Sequence, residues 1–349
     1  MIAPAPVEIC GEARSNKKLG RRLVVIFYDL NWKISVTAKL PHHPVSCDRS
    51  TLMLVALMLL LASLLGGCTG GIAEFNGPDA PQFAPYPPAK RPHLALVLGA
   101  GGPRGFAHIG VLKVLEANGI QPDLVVGASV GAMIGAIYAN GTSAAEIEKI
   151  ALAIDPTRFI GVSTNGLEGN GDALEAFVRE QTGGKPLEAF QRKLAVTASR
   201  RDNNLLAVFT RGNTAAAVRA SSATPGQFAP VRIRGIEYHD GDEAQPVPIH
   251  IARELGADIV IAVDVSAYLE STPSEAPKAW RLHDRKRTAL IEQERPLADV
   301  FIHPDLNYYA GISEAYRRMC IQRGEQAARA ALPKIRESLR QTAARISKP

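Results

Sequence analysis

The sequence predicts an α/β protein whose mostly parallel sheet is covered by helices on both faces. From residue 93 onward, apolar runs typical of buried strands alternate with stretches of helical periodicity. Strand–helix–strand–helix order produces parallel strands, and a parallel sheet needs a helical layer on each face. At 349 residues with 46% hydrophobic content, the chain has room for one large domain of this type and a sizeable core.

Three segments precede the predicted domain at 93–349. Residues 1–50 show no clear periodicity, so they are predicted to be a dispensable extension or a start assigned too far upstream. Residues 51–67 include an uncharged apolar block, 52–65, which fits a signal-peptide core better than a bilayer span of about 20 residues. An intact transmembrane anchor or a buried helix is the alternative. Residues 68–92 contain six prolines and little apolar periodicity, which predicts a tether.

The end of the apolar block resembles a lipoprotein signal. Residues 65–68 read Leu-Gly-Gly-Cys, similar to the lipobox of bacterial lipoproteins, in which the cysteine is lipidated and becomes the mature N-terminus. The resemblance implies several acyl chains on Cys68, and more than one chain is what stable anchoring requires. Thr69 is not the aspartate associated with inner-membrane retention. We therefore expect a lipoprotein of the cell envelope, on the outer-membrane or periplasmic side.

Charge and cysteine content argue against several function classes. Of the net charge of +6, residues 1–67 carry +4, from eight Lys/Arg and four Asp/Glu, which leaves +2 for the remainder. This balance gives no support for a nucleic-acid partner. The four cysteines lack the spacing of a metal site or of a disulfide framework, and no acidic cluster has the spacing of a calcium loop. No metal or other cofactor is expected.

Local patterns predict the elements of the domain in order. Residues 93–98 form the first strand, and a glycine-rich loop leads from it into a helix that ends at Asn118-Gly119. A second strand at 124–126 leads into a small-residue helix, and Ser143 with Glu146 forms a capping box for the next one. Later helices are predicted from residue 172, over 215–222, over 248–256 and within 311–346, and later strands at 194–198, 206–210, just before 240, at 258–265 and at 299–302.

One later stretch, residues 271–297, is polar and charged. It contains a cluster of four cations, Arg281, Arg285, Lys286 and Arg287. The pattern predicts a solvated loop or a loose helix, and a basic rim that faces lipid headgroups is the alternative.

The pentapeptide Gly127-Ala-Ser129-Val-Gly131 joins the second strand to its helix. In such an elbow the serine sits on a strained backbone, and the flanking glycines let strand and helix approach without Cβ clashes. The serine oxygen is then exposed at the helix N-terminus, which suits a nucleophile. Because this pattern also occurs by chance, Ser129 needs support from other residues.

The glycine-rich loop over residues 99–105 admits two interpretations. A dinucleotide fingerprint does not fit, because the third glycine position falls on Arg104, and a P-loop is excluded because the Gly-Lys-Ser/Thr ending is missing. The other interpretation is an oxyanion hole, since consecutive glycines expose backbone N–H groups and the following helix adds a positive dipole. Two adjacent parallel strands would bring this loop and Ser129 to the same edge of the sheet.

A nucleophilic serine also requires a base. His108 and His250 fall inside predicted helices, where a structural or solvated role is expected. Asp240 is the better candidate, because it ends a strand-like segment and Gly241 allows a tight turn that points the carboxylate into a site. An Asp-Gly pair on its own is usually just a turn.

In this order, the three motifs resemble the patatin-like phospholipase family. The resemblance covers about residues 93–306, and it extends to the linking residues 106–112, 219–226 and 246–248. It implies a three-layer α/β/α sandwich and a Ser–Asp dyad without a catalytic histidine. By motif, Ser129 corresponds to the nucleophile and Asp240 to the general base. The residues placed in the oxyanion loop are Gly101, Gly102 and Arg104.

Two positions depart from the family pattern. Ala100 stands where glycine is usual, which is a mild change if its φ angle is negative. Asp242 follows Asp240-Gly241, and a second carboxylate there could raise the pKa of Asp240, repel anionic lipid or point to solvent. The expected function is hydrolysis of an acyl ester of membrane phospholipid or lysophospholipid, in a site apolar enough to raise the pKa of Asp240. The alternatives are a catalytically silent lipid-binding lipoprotein and a thioesterase or small-ester hydrolase.

Overall fold

The computed structural model describes residues 22–25, 36–39, 72–86, 93–159 and 169–346. In the N-terminal part, strand β1 (Arg22–Val25) pairs antiparallel with β2 (Val36–Lys39). The predicted signal peptide at 51–67 and the predicted lipidation site Cys68 lie outside the described residues, so both stay predictions. No helix among the described residues is long and apolar enough to cross a membrane.

A sheet of nine strands forms the centre of the part that follows, counted over the described residues. The strands are β3 (Ala73–Phe75), β4 (Leu94–Leu98), β5 (Leu124–Ala128), β6 (Lys193–Arg200), β7 (Leu206–Phe209), β8 (Val231–Ile233), β9 (Ile236–His239), β10 (Ile259–Val263) and β11 (Val300–Ile302). Their order is β11-β10-β4-β5-β6-β9-β8-β3, with β7 also paired to β6. The run from β11 to β6 is parallel throughout, as predicted, whereas β7 and β9 pair antiparallel with β6.

Helices cover both faces of this sheet. The helices are α1 (Phe106–Ala117), α2 (Val130–Ala139), α3 (Ala144–Ala153), α4 (Asp172–Thr182), α5 (Thr214–Ser221), α6 (Ile249–Glu254), α7 (Lys278–Glu294) and α8 (Glu314–Ile346). Successive side chains of a strand point to opposite faces. In β4, Leu96 packs in the core shared with α1, α2 and α8, while Val97 packs in the core shared with α6 and α7. The predicted three-layer α/β/α sandwich is confirmed.

Part of the predicted tether belongs instead to the folded domain. Strand β3 pairs parallel with β8, and Ala80 is buried. The backbone of Gln82 accepts hydrogen bonds at 3.0 and 3.1 Å from the N–H groups of Thr210 and Arg211. The prediction was wrong for residues 72–86, because a short edge strand is held by its main chain and needs no apolar periodicity. The rest of the predicted tether, 68–71 and 87–92, lies outside the described residues.

Two forms were predicted for residues 271–297, a solvated loop and a loose helix. Residues 278–294 form a regular helix, α7, so the prediction of a loop was wrong for them. The helix has few buried positions, but Ile291 is fully buried and Asp284 is nearly so. A helix whose buried face is this narrow gives a weak periodic signal among its many charged residues.

The pairing of β6 determines which chain ends meet. Strand β5 pairs with residues 193–197 of β6 and β7 with residues 196–199, so the overlap places β5 and β7 on opposite edges. Strand β9 pairs at Ser199, a position already opposed by β7, and therefore lies on the same edge as β5. Because β5 is parallel to β6 and β9 is antiparallel to it, the C-terminal ends of β5 and β9 face each other. Ser129 follows the first of these ends and Asp240 follows the second.

Candidate active site

The turn after β5 is a strained elbow. Ser129 has φ 54° and ψ −123°, in a region that non-glycine residues rarely occupy, and α2 begins at the next residue. A Cβ atom on Gly131 would lie 2.0 Å from the carbonyl oxygen of Leu98, and one on Gly127 would lie 2.5 Å from Cα of Ala132. Only glycine permits this close approach of strand and helix, as the sequence predicts.

The structure brings the predicted nucleophile and the predicted base together. The hydroxyl of Ser129 donates a hydrogen bond of 2.8 Å to Oδ2 of Asp240. Both side chains are buried, with 7% and 3% of their residue surface exposed. Asp240 follows β9 as predicted, and a Cβ atom on Gly241 would lie 2.7 Å from the carbonyl oxygen of Thr197. The glycine after the base is therefore needed so that the turn can pack against β6.

Further donors fix the carboxylate of Asp240. Thr224 donates its hydroxyl to Oδ2 at 2.7 Å, and the backbone N–H of Asp242 donates to Oδ1 at 3.0 Å. The hydroxyl of Ser199 donates to the backbone carbonyl of Asp240 at 2.7 Å. These bonds hold the carboxylate so that Oδ2 faces the Ser129 hydroxyl.

Burial raises the pKa of Asp240 to about 7, and the nearby Asp242 carboxylate adds to the rise, while the hydrogen bonds from Asp242, Thr224 and Ser129 oppose it. A carboxylate with this pKa is a far stronger base than an exposed aspartate, and it titrates near neutral pH. The expectation of a site dry enough to raise this pKa agrees with the structure.

Asp242 is held in an ion pair. Its Oδ1 accepts from Nε of Arg287 at 3.0 Å, and its Oδ2 accepts from Nη2 of the same residue. Only about a tenth of each side chain is exposed. Nε2 of His283 lies 3.8 Å from Oδ2. The second carboxylate is therefore largely neutralised by a guanidinium and does not point to open solvent.

The glycine-rich loop lies beside Ser129. Gly102 has φ 54° and open space around the position of its Cβ atom, and it lines the same cavity as Ser129. Gly101 is extended and packs tightly on Val265. Ala100, the departure from the family pattern, is buried and donates its N–H to the carbonyl of Pro246 at 2.9 Å. Its φ angle is not positive, so alanine fits at this position.

Arg104 lies in the predicted loop but binds away from Ser129. Its backbone N–H donates to the carbonyl of Gly101 at 3.2 Å. Its guanidinium donates to the carbonyls of Val265 at 3.2 Å and Tyr308 at 2.7 Å. Arg104 thus ties the glycine loop to the chain after β10 and to the loop before α8, and its part in an oxyanion hole stays a prediction.

Three groups at the site were not singled out from the sequence. The buried hydroxyl of Ser221 accepts the backbone N–H of Ser129 at 2.8 Å, and Thr224 binds Asp240. The third group is the backbone N–H of Val130, the first residue of α2. N–H groups in the first turn of a helix have no acceptor within the helix, so this one is available to a ligand. The segment 219–226 carried part of the family resemblance, and it was the available signal for Ser221 and Thr224.

The histidines have other partners. Nε2 of the fully buried His108 lies 2.9 Å from the carbonyl oxygen of Gly99, and burial lowers its pKa to about 4. His250 pairs with Glu294 at 2.7 Å. No histidine among the described residues makes a hydrogen bond to the Ser129 hydroxyl. In the same part of the chain, no group of three or more His, Cys, Asp or Glu residues is arranged to hold a metal ion.

An apolar cavity of about 210 Å³ opens at Ser129. Its walls come mainly from α2, α3, α4 and the turn before β8, and they are almost entirely hydrocarbon. The wall residues include Phe106, Met133, Ile134, Ile137, Ile147, Ile150, Phe159, Phe177, Phe228 and Ile312. The polar residues of its lining are Ser129, Ser222, Thr224 and Gln227. A cavity with such apolar walls suits a hydrocarbon chain.

The chain is a three-layer α/β/α protein in which a serine on a strained elbow meets a buried aspartate. Residues 96–253 match the family model described as patatin-like phospholipase. The chain carries a patatin-like phospholipase domain, and the predicted resemblance is confirmed.

Several known proteins are similar to this chain. Lysophospholipase NTE1 of Pyricularia oryzae is 31% identical over 217 residues, covering 58% of this chain and 14% of its own length. Patatin-like phospholipase domain-containing protein 6 of Homo sapiens is 33% identical over 230 residues, covering 61% of this chain and 16% of its own length. The chain therefore spans only about a seventh of the length of these relatives. Among solved structures, VipD from Legionella pneumophila matches with a TM-score of 0.47 and 14% identity, over 78% of this chain and 72% of VipD.

Proposed function

We propose that this protein hydrolyses an acyl ester of a phospholipid or lysophospholipid, with Ser129 as nucleophile and Asp240 as general base. The observation that carries the proposal is the 2.8 Å hydrogen bond from the Ser129 hydroxyl to Oδ2 of Asp240, at the opening of an apolar cavity. The relatives named lysophospholipases support the substrate class.

In the proposed reaction, Ser129 Oγ attacks the ester carbonyl carbon while Asp240 accepts the hydroxyl proton. The carbonyl oxygen becomes an oxyanion, which the N–H groups of Gly102 and Val130 would stabilise; both residues line the cavity with Ser129. The tetrahedral intermediate collapses to an acyl-enzyme, and Asp240 returns its proton to the departing alkoxide. Water then attacks the acyl-enzyme, and Asp240 accepts and returns a proton once more, which releases the fatty acid and restores the serine.

The acyl chain would occupy the apolar cavity, and the head group would stay at its opening. Burying the chain in hydrocarbon walls supplies binding energy through the hydrophobic effect. Among the described residues, the lining of the cavity includes no charged side chain, which favours an acyl group over a polar one. The two departures that motivated the catalytically silent alternative weigh less, because Ala100 fits its position and Asp242 is paired with Arg287.

The test is hydrolysis by purified protein of lysophospholipid, diacyl phospholipid, an acyl thioester and a p-nitrophenyl acyl ester. We expect Ser129→Ala and Asp240→Asn each to abolish release of the fatty acid, while Ser338→Ala on α8 behaves as wild type. Faster turnover of the thioester than of any lipid ester would favour the thioesterase alternative. Full activity of either site variant would contradict the proposed dyad.

We also propose that the chain is anchored to a membrane through lipid on Cys68, on the outer-membrane or periplasmic side. The Leu-Gly-Gly-Cys sequence supports this localisation. Labelling with a radioactive fatty acid in a bacterial host tests it. The wild-type chain should incorporate label and Cys68→Ser should not, whereas equal labelling of both chains would exclude Cys68 as the attachment site.

A further inference from the structure

The surface around the N-terminal half of helix α7 and the loop before α8 carries exposed aromatic, aliphatic and cationic side chains. We propose that this surface docks onto a bilayer that contains anionic lipid. We call it the docking face, and it consists of Lys278, Trp280, Arg281, Leu282, Arg285 and Tyr309. The proposal deepens the proposed function, because it names the side of the protein that meets the lipid.

The apolar part of the docking face is unusually exposed. Trp280 is 49% exposed, Leu282 56% and Tyr309 54%, and they are three of the seven large hydrophobic residues exposed in the described part of the chain. The rings of Trp280 and Tyr309 have centroids 6.5 Å apart. Amphipathic rings of this kind are favoured at the boundary between lipid tails and head groups.

The cations of α7 divide into two sets. On the inner side, Arg287 is bound to Asp242, and Nζ of Lys286 lies 3.4 Å from Glu243. On the outer side, Arg281 and Arg285 are exposed and are four residues apart, so they share one face of the helix. Their charge complements anionic head groups. An acidic protein could match the charge as well, but exposed Leu and Trp side chains in the same two helical turns as the cations favour a membrane interface, where apolar residues enter the lipid and cations meet the head groups.

The docking face is connected to the opening of the cavity. The hydroxyl of Tyr308 donates to Asp284 of α7 at 2.8 Å, and the carbonyl of Tyr308 accepts from Arg104 of the glycine loop at 2.7 Å. Four residues further along the same loop, Ile312 forms part of the cavity wall. A bilayer that contacts Tyr309 is therefore close to the route by which an acyl chain would reach Ser129.

Fluorescence of Trp280 tests the docking directly. The sequence contains two tryptophans, Trp32 and Trp280, so Trp32→Phe leaves Trp280 as a single reporter. Ser129→Ala is added in every protein so that no lipid is hydrolysed. With the full chain, we expect a blue shift of emission and quenching by lipids with brominated acyl chains in phosphatidylglycerol vesicles, and much less of both in phosphatidylcholine vesicles or at high salt.

Neutralising the outer cations provides the decisive comparison. Replacing Arg281 and Arg285 together by Gln should raise the lipid concentration for half-maximal quenching roughly 30-fold, as expected for two cations lost from an anionic surface. The matched control replaces Arg329 and Arg340, two exposed arginines of α8, and should leave the quenching curve unchanged. Equal quenching in the two vesicle types, no change in the Arg281/Arg285 variant, or an equal loss in the control would overturn the proposal. Because the proteins are all inactive, such a failure is distinct from a failure of the proposed hydrolysis.

Discussion

In the proposed reaction, the charges of Asp242 and Arg287 should shift the pH at which hydrolysis begins. Asp240 can accept the Ser129 proton only when it is ionised, so kcat/KM should rise with pH through the pKa of about 7. Asp242→Asn removes a negative charge from beside the base and leaves Arg287 facing it. Both effects favour the ionised form of Asp240, so its pKa falls and the acidic limb moves to lower pH.

The size of the shift follows from the causes of the raised pKa. Burial is the largest cause of the rise from 3.8 to about 7, and Asp242 is the second. Its removal should therefore lower the pKa by about one unit. At pH 6 the ionised fraction would rise from about one tenth to about one half, so kcat/KM relative to its alkaline plateau would increase about fivefold.

The assay is the pH profile of kcat/KM with a soluble p-nitrophenyl ester. Arg287→Gln should move the limb in the opposite direction, because Asp242 is then an unpaired negative charge, and Arg287→Lys should restore it towards wild type. Glu243→Gln is the control, since Glu243 is adjacent in sequence but pairs with Lys286, and its profile should match wild type. An unchanged limb in Asp242→Asn, or a shift to higher pH, would refute this reasoning.

Three further predictions concern stability, positioning and substrate choice. The pKa of Asp240 is higher in the folded than in the unfolded state, so its ionisation destabilises the fold as pH rises from about 4 to 7. Asp240→Asn should therefore unfold at a higher temperature than wild type at pH 8 and at a similar temperature near pH 4. A lower melting temperature of the variant at pH 8 would contradict this. Ser221→Ala leaves the Ser129 N–H without its acceptor, which should lower kcat and cost about 1–3 kcal/mol of stability in urea unfolding; wild-type values for both would exclude a positioning role. Ile150→Trp fills the cavity, so the ratio of kcat/KM for long over short acyl esters should fall at least tenfold, whereas an unchanged ratio would place the acyl chain elsewhere.

The sequence was sufficient to predict the parallel half of the sheet and the two turns that carry Ser129 and Asp240. Strands β4, β5 and β10 are continuous apolar runs, which is the pattern that predicts a strand buried on both faces. Ser129 and Asp240 could be predicted because each sits in a short local motif whose glycines have a steric role. How the two meet could not be predicted, because it depends on the antiparallel arrival of β9 at the edge of β6 that β5 also uses.

The contacts that escaped prediction are long-range ones between polar groups. Asp242 and Arg287 are 45 residues apart in sequence. No local sequence pattern indicates that the carboxylate of Asp242 pairs with Arg287 and not with another cation of residues 271–297. Arg104 lies in the predicted loop, but the partners of its side chain, carbonyls more than 160 residues away, were not predicted. Strand β3 was missed because its stability comes from main-chain pairing with β8, which leaves no mark on side-chain periodicity.

The central claim is that Asp240 activates Ser129 for attack on an acyl ester. Labelling of the purified protein with a fluorophosphonate, followed by peptide mass spectrometry, tests it most directly. The account predicts modification at Ser129, at a rate that rises with pH around 7 and that collapses in Asp240→Asn. Modification of a different serine, or labelling of Asp240→Asn at the wild-type rate, would contradict the claim.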